Sequence, residues 1–155
     1  MYVLYFLLTN AIHRRKIMTR YDTNLASEFY ILSCLHRLGM NATLTLGNKK
    51  SVDIVVVREN EDAVTIDVKA VASKYDWPAD NIRHSKNLRH FIVLVCYEGN
   101  FEDTGFSPNV WIIPAEKVFQ FKKQYKNRSN ISRALILKNG HDFLFKWESL
   151  KKNQQ

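Results

Sequence analysis

Asp53 to Ala70 reads DIVVVRENEDAVTIDVKA, two β-branched runs separated by a short polar segment. Side chains alternate across a strand, so Val64, Ile66, Val68 and Ala70 share one face of the second run, and Thr65, Asp67 and Lys69 share the other. The polar segment RENEDA makes the two runs a β-hairpin. Same-face pairing then sets Asp53 opposite Asp67, or opposite Lys69 with Asp67 on the diagonal. Opposed Cβ atoms lie about 5 Å apart and diagonal ones about 7 Å. Either register gathers Asp53, Asp67 and Lys69. Two carboxylates that close repel unless a cation stands between them.

The helix expected upstream carries a fourth anomalous charge. Asp22 or Thr23 can cap a segment that runs to Leu38 and stops at Gly39. At 100° per residue Leu25, Phe29, Ile31, Leu32, Leu35 and Leu38 form one arc toward the sheet, and Glu28 falls inside it. A buried ionised carboxylate is costly unless something pairs with it. Two readings stand open: a rim Glu reaching water, or a metal-site or acid–base carboxylate.

Oxygen donors favour a hard cation, Mg²⁺ or Mn²⁺. Asp53 and Asp67 are the expected ligands, with the Val68 carbonyl as a third donor and Glu28 completing the site or holding a second ion. Such a metal polarises a phosphoryl oxygen and lowers the pKa of bound water, while Lys69 orients that water and offsets developing charge. A lone Asp-x-Lys on a strand is more often a surface ion pair. The joint occurrence of Glu28, Asp53, Asp67 and Lys69 is much less common.

These residues resemble the PD-(D/E)xK nuclease superfamily, the restriction-endonuclease-like fold. The resemblance runs from about Asp22 to Pro114 and is nearest to small stand-alone prokaryotic members close to archaeal-type Holliday-junction resolvases. It is carried by Glu28 in LASEFYILSCLHRLG, Asp53 in LGNKKSVDIVVV, and Asp67 and Lys69 in VTIDVKA; DWP (76–78) and VWIIPAEKV (110–118) look like later segments of such proteins. It implies an α/β fold, a mixed central sheet flanked by helices with an αβββαβ core. It also implies Mg²⁺-dependent phosphodiester hydrolysis, with Asp53 and Asp67 as metal ligands, Lys69 as the catalytic lysine and Glu28 as the helix carboxylate. Val52 stands where the name-giving Pro would be.

The rest of the chain fits a single domain of nucleic-acid-binding character. Over 155 residues the net charge is +8, which favours polyanionic partners because neutralised phosphates release counterions. Lys49, Lys50 and Ser51 precede Asp53. Lys74, Tyr75, Trp77, Arg83, His84, Lys86, Arg89 and His90 follow the motif strand, and such basic–aromatic interleaving suits a nucleic-acid backbone with Trp77 stacking on an unpaired base. His84 and His90 could act as general bases, although a motif lysine makes neither necessary. Trp77 beside Pro78 reads still more readily as core packing.

Residues 1–17 hold an apolar run far short of the roughly 20 residues a membrane helix needs. Their positive charges follow the run, unlike those of a signal peptide. They read as an appendage or an edge strand, with the nuclease-like domain spanning 18–155. Cys34 and Cys96 are too few for a disulfide framework and read as reduced cysteines of a cytoplasmic protein. Strands are further expected at 41–47, 91–97, 109–114 and in SRALILK (132–138), and helices at 115–125 and in DFLFKWESLKK (142–152). The expected protein is a DNA endonuclease of repair, recombination or defence, with RNA as another possible substrate and a homodimer as its state. A non-catalytic nucleic-acid-binding protein of the same fold is the alternative, and a purely structural domain the third.

Overall fold

In the computed structural model the described residues are 19–45, 52–58, 62–82 and 89–151. Helix α1 (Arg20–Arg37) begins at Thr19, earlier than the expected caps. The Thr19 hydroxyl accepts from the Asp22 backbone N–H, and the Asp22 carboxylate accepts from the Thr19 N–H, a reciprocal capping box. The helix ends at Leu38, and Gly39 takes the left-handed φ of 72° that turns the chain into the first strand. Its buried stripe is Thr23, Ser27, Ile31 and Leu35, with Glu28 beside it. Phe29, expected on the inner arc, is 53% exposed. The apolar arc is thus rotated away from Phe29, because small Ser27 lets the helix lie close to the sheet at the Tyr97 hydroxyl.

Five strands form the central sheet in the order β1-β2-β3-β5-β6: β1 (Asn41–Leu44), β2 (Ile54–Val57), β3 (Ala63–Val71), β5 (His90–Cys96) and β6 (Asn109–Pro114). The β2–β3 hairpin is antiparallel, with Ile54 paired to Ile66 at its open end. β3 and β5 are parallel, so the chain between them must cross over one face. Along that crossover lies β4 (Trp77–Pro78). It pairs with β8 (Ser129–Ile131), which also pairs with β7 (Lys122–Gln124), forming a small second sheet.

The central sheet is buried on both faces, as the unbroken apolar run of β5 requires. One core sets Ile31 and Leu35 of α1 against Ile54, Val64, Ile66, Val68, Phe91, Val93 and Ile112. The other sets Ile92, Leu94, Trp111 and Ile113 against Trp77, Phe121, Ile131 and Ile136 from the small sheet and α2 (Arg133–Asn139).

Three expectations are corrected downstream of β6. The segment 115–125 is not a helix but a single 3₁₀ turn (Val118–Phe121) leading into β7. Val118 and Phe121 are both buried by that one turn, and β8 then claims the following backbone for pairing. SRALILK is the helix α2 rather than a strand. The Asp76 carboxylate accepts from the Arg133 N–H at 2.8 Å and caps that helix from the crossover, a long-range contact no local pattern shows. The terminal segment forms two 3₁₀ turns, His141–Phe143 and Trp147–Leu150.

Candidate active site

The β2–β3 hairpin opens at Asp53. Ile54 is the register partner of Ile66, yet the Asp53 N–H also reaches the Ile66 carbonyl at 2.9 Å. Two residues of one strand therefore face one of the other, the pattern of a β-bulge. Beyond it the pairing of β2 with β3 ends, and the Val68 N–H donates to Asp53 Oδ2 at 2.7 Å. The Asp53 carbonyl meanwhile accepts from the Thr45 N–H at 2.8 Å, and the Thr45 hydroxyl donates to the Val52 carbonyl. β1 holds the backbone of Asp53 while the carboxylate is seated on β3. That seat is the backbone of Val68, the residue between Asp67 and Lys69.

Asp67 and Lys69 are half-buried on the β3 face that also carries Thr65. The neighbouring parallel strand brings His90 opposite Thr65. The Thr65 Oγ1 lies 2.9 Å from His90 Nδ1, and His90 Nε2 lies 3.7 Å from Asp67 Oδ2. The approach to His90 is fixed by backbone and charge: the Thr65 N–H donates to the Arg89 carbonyl, and the Arg89 guanidinium pairs with Asp62 at 3.0 Å. Asp62 also pairs with Arg58 at 3.3 Å, so the closed end of the hairpin and the start of β5 share one carboxylate. This Thr65–His90–Asp67 line is the part of the site that residue patterns did not show.

Glu28 is buried, 7% exposed, in the α1 layer. That layer covers Val64, Ile66 and Val68, the face opposite to Asp67 and Lys69. Among the described residues no three His, Cys, Asp or Glu side chains close on a common metal-sized position, so the structure does not bring Glu28 together with Asp53 and Asp67 as a three-carboxylate group. What it shows is the Asp53 carboxylate on the N–H of Val68, the residue between Asp67 and Lys69, and His90 Nε2 3.7 Å from Asp67 Oδ2.

The expected nucleic-acid contacts divide. Lys49, Lys50, Ser51, Arg83, His84 and Lys86 lie outside the described residues, as do residues 1–17. Lys74 is exposed on the bend after β3. Trp77 is the core residue its place beside Pro78 favoured, and not a stacking platform: it is 0% exposed, its indole N–H donates to the Val95 carbonyl at 3.0 Å, and its ring meets Trp111 edge-on at 5.7 Å. The aromatic ring presented to solvent in that loop is Tyr75, 70% exposed. It lines a cleft of about 240 Å³ with Arg20, Thr23, Asp76, Pro78 and Ala70–Ala72, directly beyond Lys69 along β3.

No family model matches the chain, and no curated protein does. Among solved structures it is similar to the bacterial homing endonuclease I-Ssp6803I, with a TM-score of 0.51 at 13% identity, covering 85% of this chain and 91% of that one. The two share a fold, a mixed sheet flanked by helices. At that identity the likeness speaks for the arrangement of helices and strands and not for particular side chains, so the chemistry has to be argued from Asp53, Asp67, Lys69 and their neighbours. Among the described residues no helix is long and apolar enough to cross a membrane.

Proposed function

We propose that the protein is a metal-dependent endonuclease that hydrolyses phosphodiester bonds in DNA, of the PD-(D/E)xK type. The observation that carries this reading is the fork at Asp53, where the carboxylate is anchored on Val68 between Asp67 and Lys69. The likeness to a homing endonuclease and the net charge of +8 support it. The donors fit a hard cation. Asp53 and Asp67 supply carboxylate oxygens on adjacent backbones, and one or two carboxylates completed by water and phosphate suffice for Mg²⁺.

A bound Mg²⁺ or Mn²⁺ supplies Lewis acidity at a phosphoryl oxygen and lowers the pKa of a coordinated water. Asp53 and Asp67 hold that charge in place, with the Val68 carbonyl as a further donor. Lys69 hydrogen-bonds the attacking water and offsets negative charge as phosphorus becomes five-coordinate. Arg20 and Lys74 pair with flanking phosphates, and Tyr75 stacks on a nucleobase in the cleft beyond Lys69. A two-fold dimer would set one such site on each strand of a duplex.

The test is incubation of supercoiled, linear and branched DNA with Mg²⁺ or Mn²⁺. Cutting by the native protein, reduced at least a hundredfold by Lys69→Ala and by Asp53→Asn, is the expected result. Cutting that neither substitution affects would refute the site.

A further inference from the structure

We infer that the β7–β8 hairpin grips the phosphodiester backbone of DNA beside the candidate site, through Lys123, Lys126 and Arg128 and without reading base sequence. The inference rests on the proposed reading only in taking DNA as the partner. From Lys117 to His141 the chain carries seven Lys or Arg residues and no Asp or Glu. One of the seven, Arg133, is paired with Glu98 at 2.8 Å. Lys122, Lys123, Lys126 and Arg128 belong to the hairpin, and among the described residues none of the four has an ion-pair partner. The stretch 123–128 is exposed throughout.

The hairpin holds these charges in place. Gln124 pairs with Ser129 across the ladder, the Tyr125 N–H donates to the Arg128 carbonyl at 2.8 Å, and the Gln124 side-chain amide donates to the Tyr125 carbonyl at 2.9 Å. The Asp80 carboxylate accepts from the Ser129 N–H at 2.5 Å and ties the turn to the crossover. Like charges are thus gathered on a short ribbon that has no carboxylate of its own, and a polyanion relieves their repulsion. Lysines also keep an edge strand such as β7 from pairing with another chain, which accounts for Lys122 and Lys123. It does not account for Lys126 and Arg128, which lie in the turn.

Position selects DNA among polyanions. Asp67 and Lys69 are the register partners of Ile92 and Leu94 on β5. Ile92 and Leu94 pack with Trp77 and Ile131, so the small sheet lies on the face of the central sheet that carries Asp67 and Lys69. A DNA that brings a phosphate to Lys69 approaches from this face, where the hairpin meets its flank. Most of the hairpin cations are lysines, point charges on flexible stems that suit phosphate oxygens.

The experiment measures binding of the full chain to two duplex DNAs of unrelated sequence, without divalent metal, over a range of salt concentrations. Each phosphate contact adds about 0.9 to the steepness of log K against log salt. Lys123→Gln/Lys126→Gln/Arg128→Gln is expected to lower that steepness by about 2–3 and to weaken binding at least tenfold at about 0.1 M salt, equally for both sequences. The control, Arg37→Gln/Lys146→Gln/Lys151→Gln, makes the same change in net charge at exposed cations of α1 and of the turn whose Leu150 packs in the α1 core. It is expected to change the steepness by less than about 1. Circular dichroism confirms folding of each variant. Lys126→Gln alone, lowering the steepness by about 0.9, carries the test should the triple variant fail to fold.

An unchanged steepness in the hairpin variant, an equal loss in the control, a loss confined to one sequence, or no binding by the native chain would overturn the assignment. DNA cutting with an unchanged steepness would remove the hairpin role and leave the nuclease standing. A lowered steepness in a chain that cuts nothing would do the reverse.

Discussion

Replacing Asp53 by Ala or by Asn separates what its carboxylate does for the fold from what it does for a bound cation. The backbone of Asp53 is fixed by Ile66 and Thr45, and neither bond involves the side chain. The side chain makes the 2.7 Å bond from the Val68 N–H, at a point where β2 has already left β3. Asp53→Ala leaves that amide without this acceptor, and losing a charge-assisted hydrogen bond costs about 1.5–3 kcal/mol. For a chain of this size each kcal/mol lowers Tm by roughly 2–4 °C, so a fall of about 4–10 °C is expected. Asp53→Asn keeps a carbonyl oxygen for Val68 and should lose no more than about 1 kcal/mol. Both substitutions remove the negative charge and should abolish metal-dependent cutting alike. Thermal unfolding by circular dichroism, in parallel with DNA cleavage, reads the two effects. If Asp53→Asn fell as far as Asp53→Ala, or if Asp53→Ala cost less than about 0.5 kcal/mol, the seat on Val68 would not be what holds the fork open.

Two further expectations concern the second core and the loop that covers it. Trp77→Phe removes the indole bond to Val95 and part of a fully buried ring. It should cost about 2–3 kcal/mol, seen as a raised urea sensitivity, while DNA affinity measured well below Tm stays within about twofold. A loss of DNA affinity without loss of stability would return Trp77 to the binding surface. Glu98 is raised by its burial, but hydrogen bonds from Arg133 and Cys96, the charge of Arg133 and a hydrogen bond from Asn109 outweigh that, holding its pKa below the ordinary 4.5. A depressed carboxyl contributes stability above its unfolded pKa and loses it as pH falls through the folded one. Glu98→Gln should therefore be less stable than the native chain at pH 6–7, and the difference should shrink below about pH 4.5. A difference that is constant with pH would show that the Arg133–Glu98 pair, 2.8 Å apart, contributes no charge-dependent stability.

What could be read from the sequence was local, and what could not was long-range. The β2–β3 pairing follows from alternating side chains and a short turn, and the Ile54–Ile66 register emerged as one of the two the pattern allowed. The bulge at Asp53 was not legible, because the pairing of β2 with β3 ends there and no local pattern shows that the Asp53 carboxylate meets the Val68 N–H. The sequence offers His90 as a basic residue of a loop and a candidate general base. Its place beside Thr65 depends on the parallel β3–β5 register, which a crossover sets and no turn encodes. Trp77 and Asp76 sit in that same crossover, one filling the second core and the other capping α2, so a stretch that looks like a solvated loop is partly interior. RALILKN misled for a different reason. A short apolar run fits a buried strand or a short helix equally well, and only the cap from Asp76 chooses between them.

The fork also makes a prediction about stability that needs no substrate. The Asp53 carboxylate sits on the N–H of Val68, next in sequence to Asp67, and bonds to Ile66 and Thr45 hold its backbone there. A group that binds the folded chain and not the unfolded one stabilises it by RT ln(1 + [L]/Kd), about 2.7 kcal/mol at a hundredfold excess over Kd. With roughly 2–4 °C per kcal/mol, saturating Mn²⁺ should raise Tm by about 5–10 °C. Asp53→Asn and Asp67→Asn should each abolish most of that rise, and Lys69→Ala should not, since a cation beside the ion offers it no ligand. A rise of the same size with all four proteins would place the ion elsewhere on the chain. A rise lost in Lys69→Ala as well would mean that Lys69 shapes the fork itself, and that its role could no longer be separated from the binding of the metal.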